Sequence, residues 1–173
     1  MASPVAVLIG APASGKSKIA KRVSVLLDVP RIDTDKVVVE QYGPIADIFD
    51  SSGEATFRNY ERAAVVDALA QKAIVSLGGG AVLDPATQAD LKSVPVVLLT
   101  VTEEAVATRI SDPKRPLLRG GLDSWKELVA ARMPIYSELA WNTFDTSSGD
   151  LDKLAEDIVT WINSGTPRQG SAS

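Results

Sequence analysis

Apolar and polar positions follow two rhythms along this chain. Val5-Ala6-Val7-Leu8-Ile9 is a continuous apolar run ending at Gly10, the pattern of a strand buried on both faces of a parallel sheet. Ile19, Val23, Leu26 and Leu27 then recur at i, i+4, i+7 and i+8, which predicts a helix with one apolar stripe, starting near Lys16 and ending by Pro30. A short second strand is predicted around Val29 to Ile32, and a polar, helix-compatible stretch from Lys36 through Glu61 to Gln71. Ala73 to Leu77 reads as a strand running into Gly78, Gly79 and Gly80, and Val94 to Val101 is the strongest strand signal in the chain.

The second half keeps the alternation. Glu103 to Ile110 is helical in pattern, and the two prolines and two glycines of Ser111 to Gly121 predict an exposed, mobile loop. Ser124 with Glu127 has capping-box spacing, so a helix is expected from there to about Arg132 or Tyr136. Trp141 to Thr146 reads as a last short strand. Leu151, Leu154, Ala155, Ile158, Val159 and Ile162 make a closing amphipathic helix, before a polar tail, 164–173, expected to be disordered. Alternating β and α units with apolar strands predict an α/β fold of three layers, a parallel sheet with helices on both faces. At 173 residues there is room for one domain, over about 1–163.

Composition narrows the chemistry. The chain has no cysteine and no histidine, which excludes disulfides, thiolate metal sites, cysteine nucleophiles and the commonest general base. Catalysis must run on carboxylates, Lys, Arg, hydroxyls, backbone groups or a bound cofactor. A formal net charge of −4 gives no basic footprint for nucleic acid or anionic membranes. The opening Met1-Ala2-Ser3-Pro4 carries no basic residue, and Val5 to Ile9 is too short for a signal core or a membrane span. A cytoplasmic location is the expectation, with no nucleic-acid or membrane partner.

Gly10-Ala11-Pro12-Ala13-Ser14-Gly15-Lys16-Ser17 fits the phosphate-loop pattern G-x-x-x-x-G-K-S/T, directly after a buried strand and at the start of a helix. Its glycines let backbone N–H groups converge on phosphate oxygens. Lys16 can reach the β/γ-phosphates, and Ser17 can ligate Mg²⁺. A plain strand-to-helix turn with a solvated lysine is the bland alternative, and both flanking elements argue against it. ATP or GTP binding follows.

Other positions are ambiguous when taken singly. Asp33 and Asp35 stand two apart at the end of a strand, which suits Asp33 for metal and Asp35 for a substrate hydroxyl, while an Asx-turn or a helix cap by Asp35 would explain the latter equally. Arg58 and Glu61 at i, i+3 are by default a surface ion pair. Gly78, Gly79 and Gly80 make either a flexible turn or a place where a ligand approaches backbone N–H groups. Arg132, four before Tyr136, is bland alone.

In order and spacing, however, Gly10 to Ser17, Asp33-Thr34-Asp35, Asp47-Ile48-Phe49 with Gly53-Glu54 and Phe57-Arg58-x-x-Glu61, Gly78 to Val82, Arg115-Pro116-Leu117-Leu118 and Arg132-x-x-x-Tyr136 resemble shikimate kinase. The likeness spans roughly residues 5 to 163. It implies a nucleoside-monophosphate-kinase-like fold, with a five-stranded parallel sheet of order 2-3-1-4-5 and a lid at about 109–122. It implies transfer of the γ-phosphoryl group of ATP to the 3-hydroxyl of shikimate, with Mg²⁺, by a monomer. The resemblance assigns Gly10, Ala13, Ser14, Gly15, Lys16 and Ser17 to the nucleotide, Ser17 and Asp33 to the metal, and Asp35 to substrate hydroxyls. Arg58, Gly78, Gly79, Gly80 and Arg132 would hold the acid, the two arginines gripping its carboxylate. Arg115 would be the lid arginine over the transferring phosphoryl group, making Lys16, Asp35 and Arg115 the catalytic set. Arg109 approximates the arginine that stacks on adenine. The stretch Ile110 to Lys114 departs from the family's glycine-containing segment, and Lys18 stands where a threonine is common. A gluconate kinase-like enzyme and a catalytically silent nucleotide-binding module are the competing readings.

Overall fold

A computed structural model describes residues 2–110 and 121–169 of the chain. The elements run β1 (Ala6–Ile9), α1 (Lys16–Leu27), β2 (Arg31–Asp33), α2 (Thr34–Tyr42), α3 (Ile45–Ser52), α4 (Glu54–Leu69), β3 (Ile74–Ser76), a 3-10 turn (Ala81–Leu83), α5 (Pro85–Leu91), β4 (Val96–Thr100), α6 (Glu103–Ile110), α7 (Gly121–Leu139), β5 (Asn142–Asp145) and α8 (Leu151–Asn163). The five strands form one sheet in the order β2-β3-β1-β4-β5, every pair parallel. This is the order the resemblance implied.

The continuous apolar runs are explained by burial on both faces. Val7 and Ile9 point into a cluster with Val75, Leu77, Val96, Leu98, Leu91 and Tyr136, while Ala6 and Leu8 point the other way, against Ile19, Val23, Ile158 and Trp161 of α1 and α8. A smaller cluster, Val38, Ile48, Phe57 and Ala64, holds α2, α3 and α4 together. The parallel arrangement puts the carboxyl ends of β1, β2 and β3 side by side, and all the loops that carry chemistry leave from that edge.

Several local expectations changed. The polar stretch after Lys36 is three helices, broken at Gly43-Pro44 and at Gly53, whose glycines adopt φ of 90° and 85°; no continuous helix passes such positions. The 3-10 turn and α5 were not among the expected elements, although Asp84 before Pro85 is a helix-start pair: Asp84 caps α5 by accepting from the Ala86 N–H at 2.8 Å, with Pro85 at the first helical position. α7 spans Gly121–Leu139, so Ser124 lies inside its first turns and not at the N-cap position, and the helix continues past Pro134 to Leu139. Proline removes one helical donor, and burial of Tyr136 and Leu139 beyond it offsets that loss. The first part of the tail also differs: the Gln169 N–H donates to the Trp141 carbonyl at 2.6 Å and Trp161 Nε1 donates to the Pro167 carbonyl at 2.9 Å, so 164–169 folds back on α8. Among the described residues no helix is long and apolar enough to cross a membrane.

Candidate active site

Local backbone chemistry builds the phosphate loop between β1 and α1. At Gly10 a Cβ would stand 2.5 Å from the Leu99 carbonyl oxygen and 2.9 Å from Ser14 Oγ, so no larger residue fits. Gly15 turns the chain into α1 at φ 89°, and Ala13 holds φ 67°, a left-handed conformation that costs a residue with a Cβ about 1 kcal/mol. The first N–H groups of α1 have no partner within the helix and carry its positive dipole end, which suits them to an anion.

An anion-binding loop that turns N–H groups inward leaves carbonyls that must be satisfied elsewhere. Here side chains satisfy them in succession. Lys16 Nζ donates to the carbonyls of Gly10 at 2.6 Å and Ala11 at 3.0 Å, and Trp125 Nε1 donates to Pro12 at 2.8 Å. Arg109 donates to Ala13 at 2.5 Å, and Thr146 Oγ1 donates to Ser14 at 2.8 Å. Arg109 also donates to the Thr146 carbonyl at 2.8 Å. Burial of the Lys16 ammonium lowers its pKa to about 8, with Arg132 adding to the shift and the Asp35 and Asp33 carboxylates opposing it.

Asp33 ends β2 and caps α2, its Oδ1 accepting from the Lys36 N–H at 3.2 Å. Its other oxygen accepts from Ser17 Oγ at 2.9 Å. The helix cap is therefore Asp33, and Asp35 is left in the first turn of α2 with its carboxylate over Gly78. A hydroxyl and a carboxylate this close offer the hard oxygen donors a divalent cation of the alkaline-earth type prefers. The adjoining cavity of about 230 Å³, lined by Ser17, Asp33, Lys36 and Ser76 among others, has room for a hydrated ion. Among the described residues no three His, Cys, Asp or Glu side chains gather as a candidate metal cluster.

Three successive glycines each face one side chain. A Cβ on Gly78 would collide with Asp35 Oδ1, one on Gly79 would sit 3.1 Å from Arg132 Nη1, and one on Gly80 would sit 2.7 Å from Arg58 Nη1. None of the three glycines adopts a positive φ, so here the requirement is space and not backbone conformation. Thr34 anchors the strip, its Oγ1 accepting from the Gly78 N–H at 3.1 Å. Asp35, Arg58 and Arg132, from three different helices, thus converge beside the phosphate loop.

The Arg58–Glu61 pair is not the surface contact that its spacing suggested. The Glu61 residue is 4% exposed, and its Oε1 accepts from Arg58 Nη1 at 2.9 Å. Glu54 approaches the same guanidinium at 3.5 Å, and the Phe57 ring lies 5.3 Å away. Burial pushes the Glu61 carboxyl above its ordinary pKa, with the Arg58 bond opposing; burial first and Asp33 second push Asp35 up, with Lys16 and Arg58 opposing. Glu61 aims Arg58, a role that the i, i+3 spacing alone could not separate from a solvated pair. Trp125 and Thr146 carried no sequence signal for the site at all. Arg115 and most of the expected lid lie outside the described residues.

With this geometry in place, comparison with known proteins decides the family: the family model for shikimate kinase matches residues 12–163. The chain belongs to the shikimate kinase family. Curated shikimate kinases from Thermobifida fusca and Saccharopolyspora erythraea are 41% and 42% identical to it, over 90% and 91% of this chain and 93% of each relative. The shikimate kinase of Acinetobacter baumannii, solved in complex with shikimate, has a TM-score of 0.85 at 29% identity over 95% of both chains. That of Aquifex aeolicus has a TM-score of 0.77 at 31% identity, over 92% of this chain and 96% of its own. A gluconokinase from Sinorhizobium meliloti, with a TM-score of 0.64 at 16% identity over 93% of this chain and 92% of its own, shares the fold alone. Membership in the shikimate kinase family implies a nucleotide substrate for this chain.

Proposed function

We propose that this chain is an ATP-dependent shikimate kinase, moving the γ-phosphoryl group of ATP to the 3-hydroxyl of shikimate and releasing ADP and shikimate 3-phosphate in the pathway to chorismate and the aromatic amino acids. The observation that carries the reading is the meeting of Asp35, Arg58 and Arg132 over three glycines beside the phosphate loop. Two guanidinium groups and a carboxylate match a small acid with several hydroxyls: the arginines take the carboxylate and the aspartate takes a hydroxyl.

The chemistry follows from positions. Lys16 leaves the Gly10 and Ala11 carbonyls for the β/γ-phosphate oxygens, and the loop N–H groups hold those oxygens in place. Ser17, and Asp33 through water, would hold Mg²⁺, whose charge offsets the charge on the phosphates. Asp35 accepts the hydrogen bond of the attacking hydroxyl and takes its proton as the new O–P bond forms and the bond to ADP breaks. A carboxyl pushed up by burial is a better proton acceptor than an exposed one. Arg115 is the residue that the family motif assigns to the transferring phosphoryl group. A loose transition state needs alignment and fixed charge more than a strong base, so the absence of histidine costs little.

ADP release from Mg-ATP in a coupled assay tests this, with shikimate, gluconate, a nucleoside monophosphate and no acceptor run side by side. Stimulation by shikimate alone is expected. Stimulation by another acceptor would keep the nucleotide site and remove Arg58 and Arg132 from a shikimate pocket, and no stimulation at all would favour a silent binding module.

A further inference from the structure

α7 makes a second set of contacts that lies behind the reacting groups. Trp125 and Tyr136 are eleven residues apart on it, about three turns, which puts them on one face with Arg132 between them. Both are buried, at 5% and 1% exposure. Trp125 donates to the Pro12 carbonyl at 2.8 Å. The Tyr136 hydroxyl donates to the Gly79 carbonyl at 2.7 Å and lies 3.3 Å from the Gly10 carbonyl. One helix face therefore grips the phosphate loop at Pro12, touches it again at Gly10, is bonded to the glycine strip at Gly79, and carries Arg132 against that same glycine.

These bonds all go to carbonyl oxygens. A phosphate group recruits N–H donors, so the grips of α7 do not compete with the nucleotide and can persist while it is bound. The Ala11, Val106 and Trp125 cluster packs the upper contact on apolar side chains, with Leu122 and Val129 against it, and Tyr136 is part of the main core under the sheet. Such packing is stiff on the scale of a fraction of an ångström, which is the tolerance that in-line transfer demands.

We infer that Tyr136 and Trp125 are positioning residues for phosphoryl transfer, through which α7 sets the distance between the phosphate loop and the glycine strip on which the acid substrate is held. The inference rests on the function proposed above. It places the main effect of these side chains on the transfer step, because neither side chain offers a donor to the substrates; the Tyr136 hydroxyl also bonds Arg132, so the dissociation constant for shikimate has to be measured beside the rate.

Single-turnover phosphoryl transfer at saturating ATP and shikimate, alongside separate dissociation constants for each, tests it in Tyr136→Phe and Trp125→Phe. Both variants keep a ring in the core: Tyr136→Phe loses the hydroxyl that grips Gly79 and also bonds Arg132, and Trp125→Phe loses the Pro12 donor together with part of the buried indole. Transfer should slow about tenfold in Tyr136→Phe and by a smaller factor in Trp125→Phe, equivalent to roughly 1.4 kcal/mol or less of barrier, with both dissociation constants within about threefold of the parent. A merely structural role would lower the melting temperature and leave transfer by the folded fraction unchanged. Rates within twofold of the parent in both variants, or slowing fully matched by weaker binding, would overturn the inference. Should Tyr136→Phe fail to fold, Trp125→Phe decides it. A parent enzyme that transfers nothing to shikimate removes the function reading and this inference together, whereas a normal parent with variants to match removes the inference alone.

Discussion

The phosphate loop and the glycine strip lie side by side and are built in opposite ways. The loop is eight contiguous residues whose conformation is set by backbone sterics at Gly10 and Gly15. The strip is three glycines that do nothing by themselves, since their φ angles are open to any residue. They are required because Asp35, Arg58 and Arg132 arrive from α2, α4 and α7 and fill the space where side chains would stand. A local motif can be recognised by its spacing, whereas a convergent one exists only once the helices are packed.

The sharpest way to separate the two regions is to remove the charge of one. Lys16→Ala should reduce turnover about a thousandfold, in the range measured for lost electrostatic stabilisation, while shikimate binding without nucleotide stays within a few-fold by calorimetry. Unchanged turnover would remove Lys16 from the phosphate site. On the acceptor side, Arg58→Ala should raise the shikimate KM roughly 10- to 100-fold, the worth of a charge-assisted hydrogen bond, and leave the ATP dissociation constant alone; weakened ATP binding would mean the two regions are not separable.

Proton linkage separates them further. Burial holds the Lys16 pKa at about 8, and phosphate beside it favours the charged ammonium and raises that value. ATP binding should therefore take up a proton above pH 8, and affinity should fall by up to about tenfold per pH unit until the pKa of the complex is reached. In the ligand-free protein the sign is the reverse: the cost of burying charged Lys16 is full below pH 8 and eases as pH rises through 8 toward 10.5. Shikimate binding should weaken instead on the acid side, as Asp35, held above the ordinary carboxylate value, takes up a proton. An alkaline fall in shikimate affinity as steep as that for ATP would break the comparison.

The smallest effect is expected at Ala13. Glycine there relieves about 1 kcal/mol of left-handed strain and returns roughly 0.4–1 kcal/mol of unfolded-chain entropy, so Ala13→Gly should move stability by less than about 1 kcal/mol in a denaturant melt and turnover by no more than about twofold. A larger gain would show that Arg109, which holds the Ala13 carbonyl, is working against the loop's own preference.

The fold was largely legible because parallel strands buried on both faces have to be continuous apolar runs, and those at Val5, Ala73 and Val94 could be seen directly. Helix boundaries in the polar stretch were less so: Gly43 and Gly53 break it, but one-sided burial of Val38, Ile48 and Phe57 depends on which helices meet. Glu61 shows the limit most plainly. An arginine and a glutamate three apart look the same in sequence whether the carboxylate is in water or buried at 4% exposure, and only burial turns the pair into an aiming device.

By itself the sequence determined the phosphate loop, the sheet and the absence of any cysteine or histidine chemistry, because glycine sterics, strand burial and composition act residue by residue. The tertiary structure alone decided that Asp33 and not Asp35 caps α2, that three glycines carry three charged side chains, and that Trp125 and Tyr136 hold the loop from behind. These are consequences of distances between elements remote in the chain, which no local pattern encodes.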